Sequence, residues 1–313
     1  MTVIDSIKNA QSVLIIGHQR PDGDCIGAGL ALKRVCENHF KPCDFVFDSP
    51  VPAHFSFLPR YDALNKQVCK EYELVICVDC ADNMRTGKYI GYVQKAAHSY
   101  NIDHHKTNNR FAETNIVKAE ACSTCEVLFD ILEPLGEIDD AVAYYLFVGL
   151  STDTGHFMHS NTNSRVFEIA AALSSRKIEP HRIASNIYKN ATYGKVKLIA
   201  KAIESMRFFA DGKICVISIR LSDLEECGCV LADTEGLIDY GTMLGSVEVA
   251  VCITEQNTPQ FKVSYRSKGL DVAAAAGVFG GGGHKLAAGC SVSGHYEDVV
   301  RKVVKSVTDG MPL

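Results

Sequence analysis

Four short apolar runs recur through the first hundred residues: VLIIGH at 13–18, CDFVF at 43–47, LVICVD at 74–79 and SYNID at 99–103. Each has the length and the branched or aromatic content of a strand, and the first is followed by a helical pattern over residues 25–39. Strands that alternate with helical segments are the signature of βα units, whose strands pair in parallel. Helical patterns then dominate, in STCEVLFDILEPL, DDAVAYYLFVGL, SRVFEIAAALSSR and HRIASNIYK.

After Asn190 the texture changes. The segment YGKVKLIAKAIESM carries apolar residues at helical spacing and predicts a linking helix. New strands follow in KICVISIR (213–220), SVEVAVCI and QFKVSYRS, with a helix over 237–244, an Ala-rich helix over 271–279 and a turn at GGGGH, residues 280–284. A chain of 313 residues is long enough for two ordinary domains, each with its own core. The expected fold class is therefore α/β: an N-terminal parallel-sheet domain over 1–188, a helical linker over 189–207 and a smaller mixed α/β domain over 208–313.

Composition narrows the function classes. Hydrophobic residues make up 47% and charged residues 22%, as in a soluble globular protein. The opening MTVIDSIKNAQ lacks the basic start and apolar core of a signal peptide, and runs such as VLII and AVAYYLFVGL fall short of the roughly 20 residues that span a bilayer. A cytoplasmic protein with no membrane partner is expected, and its 13 cysteines then read as reduced thiols. Two Cys-x-x-Cys pairs, Cys77 with Cys80 and Cys122 with Cys125, have the spacing of half a zinc site. The first pair, however, lies in a strand-like run where cysteine is usually a small core residue, and the gap to the second is long. The formal charge of −5 provides no cationic face for long duplexes; a short nucleic acid or a small phosphate ester would need local cations.

The chemistry-bearing residues fall at the ends of the expected strands. His18, Asp22 and Asp24 stand in HQRPDGDCIG, Asp79 in VDCAD, and Asp103, His104 and His105 close the fourth run. Asp153, in STDTG, follows an apolar helix. A parallel sheet gathers such groups at the carboxyl ends of its strands, so these segments should meet in one crevice. Carboxylates sharing a site raise one another's pKa, and divalent cations are the simplest remedy. Oxygen ligands with some imidazole suit manganese or magnesium better than thiolate-bound zinc, and two ions about 3.5–4 Å apart would clamp both oxygens of a phosphoryl transfer. Each segment also has a bland reading: PDGD as a strand-to-helix turn with Asp24 as the cap, Asp103–His105 as a solvated loop, GGGGH as a flexible linker. The coincidence of four acidic segments favours a site. The ordered pattern after GGGGH favours a tight turn whose amides approach a phosphate, with Arg266 and His284 as local positive charge.

His18-x-x-x-Asp22-x-Asp24, Asp79, Asp103-His104-His105 and Asp153 resemble the four motifs of the DHH phosphoesterase superfamily, and Gly280-Gly281-Gly282-Gly283-His284 preceded by VSYRSKG resembles its DHHA1 domain. The order and spacing look most like the NrnA group of oligoribonucleases and 3′-phosphoadenosine 5′-phosphate (pAp) phosphatases. Cys25 after the first motif and Ala28, where related sequences often have serine, are departures, and neither is a ligand in this scheme. The resemblance implies two manganese ions (Mn2+), with magnesium (Mg2+) as the alternative: His18 and Asp22 on one, Asp24, His104 and Asp153 on the other, Asp79 bridging. It makes Asp103 an acid that orients a histidine and His105 a group facing the substrate phosphate, with a bridging hydroxide as nucleophile. Arg266, Gly280, Gly281, Gly282, Gly283 and His284 would hold the far end of the substrate. The expected substrates are short single-stranded RNA or DNA oligonucleotides of about two to five nucleotides, with no long cationic track to hold more, together with pAp. Cyclic dinucleotides or linear pApA are the alternative substrates, and a homodimer is left open. A nucleotide sensor with a degenerate centre would lack a ligand, and none is missing; nor does a P-loop or dinucleotide fingerprint appear.

Overall fold

The structure, a computed structural model, describes residues 2–69, 71–257 and 259–311. The chain divides into two compact units, Met1–Asn190 and Ala191–Leu313.

The first unit opens with helix α1 (Val3–Asn9), capped by Thr2, and strand β1 (Val13–Gly17), all five residues of which are buried. Helix α2 (Gly23–Asn38), strands β2 (Cys43–Val46) and β3 (Leu74–Val78), helix α3 (Ile90–Lys95), strand β4 (His98–Asp103) and strand β5 (Thr114–Val117) follow. The strands form one parallel sheet in the order β2-β1-β3-β4-β5. Helices α4 (Thr124–Leu132), α5 (Asp140–Asp153), α6 (Ser164–Ser174) and α7 (Pro180–Tyr188) complete it. One face of the sheet packs with α1, α2, α4 and α5 around Ile15, Phe45, Ile76 and Ile102, and the other buries Leu14, Ile16, Val75 and Cys77 in a smaller cluster. This two-sided burial is why β1 and β3 read as continuous apolar runs.

The second unit begins with α8 (Tyr193–Glu204), the helix expected to link the domains. It buries Leu198 and Ala202 against Cys215 and Ile217 in a core of this unit. Strands β6 (Arg207–Phe209) and β7 (Ile214–Ile219), helices α9 (Leu221–Cys227) and α10 (Asp239–Thr242), strands β8 (Val249–Asn257) and β9 (Gln260–Ser267), helix α11 (Val272–Gly277), strands β10 (Gly282–His284) and β11 (Ala287–Ser293) and helix α12 (Tyr296–Thr308) follow. Its sheet is mixed, in the order β10-β11-β9-β8-β7-β6, with only β7 and β8 parallel. On α12, Val299, Val300, Val303 and Val307 recur at helical spacing and are buried against the sheet. The α/β class and the parallel and mixed sheets agree with the expectation.

Candidate active site

The site of the first unit forms where β1, β3 and β4 end side by side. His18 directly follows β1, Asp79 follows β3, and Asp103 ends β4 with His104 and His105 behind it. Asp79 turns sharply: its φ is +58°, a left-handed conformation that aspartate tolerates better than most residues. Its amide still donates to the Ile102 carbonyl at 2.9 Å, which keeps the turn tied to β4. Helices α2 and α5 bring the remaining acids, and they meet so closely that their contact is made by glycines. A Cβ on Gly27 would lie 2.5 Å from the Tyr145 carbonyl oxygen, and one on Gly149 would lie 2.2 Å from the Cys125 sulfur and 2.6 Å from Oδ1 of Asp24. Asp153, expected beyond the apolar helix, is the last residue of α5 itself.

The structure brings the predicted residues together around Asp79. Nε2 of His18 lies 3.3 Å from Asp79, Nε2 of His104 3.6 Å and Nδ1 of His105 3.5 Å, while His104 also reaches Asp153 at 3.3 Å. Among the described residues two of the groups able to hold a metal ion are Asp79 with His104 and His105, and Asp24 with His104 and Asp153. Asp103, fully buried, accepts from Nδ1 of His105 at 2.7 Å and from the Asn108 amide at 2.5 Å.

Electrostatics follow from this crowding. Burial, with the charges of Asp79 and Asp22, pushes the Asp24 carboxyl up to about 7. Burial, with the charges of Asp24, Asp22 and Asp79, raises Asp153 well above the usual carboxylate range. Burial would raise Asp79 as well, but hydrogen bonding and charge from His18, with His104 and His105, outweigh it and hold Asp79 at about 2. Burial opposes protonation of His18 and His105, yet both are raised: His18 by Cys25, Asp22 and Asp79, His105 by Asp103 and Asp79. Two carboxyls that resist ionisation beside one that is held ionised is the arrangement expected of acids brought together for a cation.

Some expectations require correction. The cap of α2 is Asp22, whose Oδ1 accepts the amides of Asp24 and Cys25; Asp24 does not cap its own helix. Instead Asp24 supports the first turn of α4, whose cap is Ser123, accepting from across the unit the amides of Thr124 at 2.6 Å and Cys125 at 2.9 Å. Asp22 is half exposed and lies 3.7 Å from Nε2 of His18, the residue with which it is expected to share an ion. Cys25, a departure from the motif, completes a metal-capable group with His18 and Asp79, but burial pushes its thiol up to about 12 and its sulfur bonds the backbone of His18 and Val78. Cys77, Cys80, Cys122 and Cys125, the pairs with zinc spacing, are buried thiols that belong to none of the metal-capable groups among the described residues. Thr124 is the residue that sequence reading missed; its hydroxyl donates to Asp79 at 3.0 Å, and the Ser-Thr-Cys before the apolar stretch of α4 was its only trace.

In the second unit, GGGGH is not simply a turn. Gly282–His284 form the edge strand β10, paired antiparallel with β11, and the turn is the Lys285-Leu286 step that follows. Gly280 and Gly283 have φ of +73° and +147°, and a Cβ on Gly281 would lie 2.3 Å from the Gly289 oxygen, whereas one on Gly282 would meet only open space. His284 is in register with Ala287, and Ala287 with Arg266. His284 and Arg266 therefore project from one exposed face of the sheet, two strand spacings or roughly 9–10 Å apart.

Comparison with known proteins agrees with this division. Residues 12–150 match the DHH family, N-terminal domain, and residues 234–310 match the DHHA1 domain. The chain is 29% identical to the bifunctional oligoribonuclease and PAP phosphatase NrnA of Thermus thermophilus, over 95% of this chain and 90% of that protein. It is 26% identical to a probable bifunctional oligoribonuclease and PAP phosphatase NrnA of Streptococcus mutans, over 93% and 92%. The crystal structure of an exopolyphosphatase-related protein from Bacteroides fragilis has the same fold, with a TM-score of 0.90, 23% identity and coverage of 98% and 95%.

Proposed function

We propose that this chain, which belongs to the DHH/DHHA1 superfamily of phosphoesterases and is a phosphoester hydrolase, cleaves short single-stranded oligonucleotides to mononucleotides and removes the 3′-phosphate of pAp. The observation that carries the reading is the convergence on Asp79 of His18, His104 and His105, with Asp24 and Asp153 beside them, at the carboxyl end of a parallel sheet. The choice of substrate is supported by the relatives' activities.

The donor set fits divalent cations of the manganese or magnesium type, since it is carboxylate and imidazole without an ionisable thiol. His18, Asp22 and Asp79 would hold one ion, and Asp24, His104 and Asp153 the other, with Asp79 shared. Bound there, the ions would lower the pKa of water and neutralise the charge that develops on a phosphoryl group.

The chain's own residues prepare that centre. Asp103 commits Nδ1 of His105, so any contact of this ring with a substrate phosphate is made by Nε2. Thr124 fixes the Asp79 carboxylate through its hydroxyl, and the amides of Thr124 and Cys125 orient Asp24. In the second unit, Arg266, His284 and the glycines 280–283 are assigned to holding the substrate away from the chemistry, the open space at Gly282 leaving room for a close backbone approach. Among the described residues no helix is long and apolar enough to cross a membrane, and action in the cytoplasm is part of the proposal.

The test is a turnover profile with manganese on RNAs from dinucleotide to pentanucleotide, on an RNA several times longer, on pAp, on pApA and on cyclic dinucleotides. The reading expects the highest rates on the short RNAs and on pAp. A rate that climbs with RNA length, or strong preference for cyclic dinucleotides, would overturn it.

A further inference from the structure

Most arginines of the described residues are held by a carboxylate, as Arg34 is by Asp139 at 2.8 Å, Arg165 by Asp130 at 2.6 Å and Arg207 by Glu297 at 3.0 Å. Arg220 stacks on the Tyr296 ring, and Arg266 donates to the Tyr265 carbonyl. Arg20, Arg85 and Arg110 differ: all three are exposed, and among the described residues no carboxylate, carbonyl or ring engages their guanidinium groups. An arginine left to solvent is ordinary by itself. Here all three stand on the segments that follow β1, β3 and β4 and carry His18, Asp79 and His104, Arg20 and Arg110 in loops and Arg85 in a 3-10 helix over Asn83–Tyr89.

Those loops are tied together. β1, β3 and β4 are neighbours in the sheet. The Gln19 amide donates to the Arg85 carbonyl at 2.8 Å, joining the first loop to the second. The Asn109 amide donates to the Ala81 carbonyl at 2.9 Å, and its side chain to Asn83 at 3.2 Å, joining the third to the second. Arg20 and Arg110 both have left-handed backbones, with φ of 58° and 55°, pinned by hydrogen bonds of their amides to Ser49 and Asn108. Such strain persists only where the surroundings impose it, and it gathers at functional sites. The nearby acid Asp82 is turned to the Arg85 backbone amide. The positive charge of Arg85 is felt at His105, where it opposes protonation.

We propose that Arg20, Arg85 and Arg110 form a rim on the first unit that binds the phosphates of a short single-stranded nucleic acid flanking the scissile linkage. The proposal rests on the phosphoesterase reading and places backbone recognition on the loops that carry the metal-ligating residues, in addition to the Arg266 row. Guanidinium groups suit phosphate, and three of them on three adjacent loops serve a few nucleotides, not a long track. Contacts of this kind release counterions, so each steepens the salt dependence of binding to a single strand by about 0.7.

The experiment measures binding of a fluorescein-labelled pentanucleotide RNA to the full chain by anisotropy over a series of salt concentrations, with calcium as the divalent ion and the RNA recovered intact. The triple variant Arg20→Ala, Arg85→Ala, Arg110→Ala should bind about tenfold or more weakly at low salt, with a slope shallower by about two; Arg85→Ala alone should lose about 0.7, and Arg85→Lys should keep its slope. Arg176→Ala, whose guanidinium faces Glu133 in the same unit, should behave as wild type. An unchanged slope in the triple variant would overturn the proposal, including the case where affinity falls through misfolding alone, and so would a wild type that does not bind the RNA. A wild type that binds with this salt dependence but hydrolyses no phosphoester with manganese would overturn the phosphoesterase reading and leave the rim standing.

Discussion

The two units hold their candidate residues by opposite means. In the first, the groups are charged and buried: Asp24 and Asp103 are fully enclosed, Asp79 and His18 nearly so; Asp24, Asp79 and His18 are fixed by partners on other elements, and Asp103 by His105 and Asn108 close by in the chain. In the second, the candidate grip is an exposed edge strand of glycines with Arg266 and His284 on the open face of the sheet. A buried acid needs partners to stay ionised, so the first site is defined by what surrounds it. A backbone surface is defined by the side chains it lacks.

The largest effect expected from this contrast is at Asp79, which faces three imidazoles and Thr124. Asp79→Ala should lower kcat with manganese on a short RNA by about a thousandfold or more, roughly 4 kcal/mol of transition-state stabilisation. Activity within tenfold of wild type would remove Asp79 from the centre.

Glycine positions separate packing from recognition in the second unit. A Cβ on Gly281 collides with backbone and with Cys290, so Gly281→Ala should destabilise the protein by about 1–3 kcal/mol. Gly282→Ala enters open space and should leave stability within about 0.5 kcal/mol while weakening substrate binding. Denaturant unfolding beside RNA titration distinguishes them, and equal stability losses would contradict the register given for β10.

The crowded acids predict a pH-dependent response to metal. A carboxyl raised to about 7, as at Asp24, is largely protonated at pH 6 and must release its proton to take an ion; a raised His18 must do the same. Manganese at about a hundred times its dissociation constant should stabilise the chain by roughly 2.7 kcal/mol. At one fixed concentration, the rise in melting temperature should be larger at pH 8 than at pH 6. A larger rise at pH 6 would show that these groups do not compete with the ion.

A smaller effect on turnover than at Asp79 is expected at Arg266. Arg266→Ala should reduce kcat/KM on a short oligonucleotide by about tenfold, near 1.4 kcal/mol, and leave an aryl phosphodiester much less affected. Equal losses on both would take Arg266 out of substrate binding.

The parallel sheet could be read before the structure because β1 and β3 are buried on both faces, which leaves uninterrupted apolar runs at known positions. The short strand β5, TNIV, has no such run and went unread. Helix α12 went unread although its valines carry the helical period, and α1 was hidden in a segment read only for what it lacked. GGGGH was visible as backbone that must do something unusual, but not as a strand, since pairing with β11 depends on a partner rather than on the glycines themselves.

The sequence alone determined which residue types stand at the strand ends, and with them the chemistry: acids and imidazoles in four segments that only a parallel sheet would bring together. Tertiary structure alone decided how they are used. That Asp24 reaches a hundred residues along the chain to the first amides of α4, that Thr124 steadies Asp79, and that Gly149 makes room for Asp24 all depend on how α2, α4 and α5 pack against one another and against the strand ends. Periodicity records which face of an element is apolar. It carries no record of the ångström-scale approach between two elements, and burial, hydrogen bonding and pKa all depend on that approach.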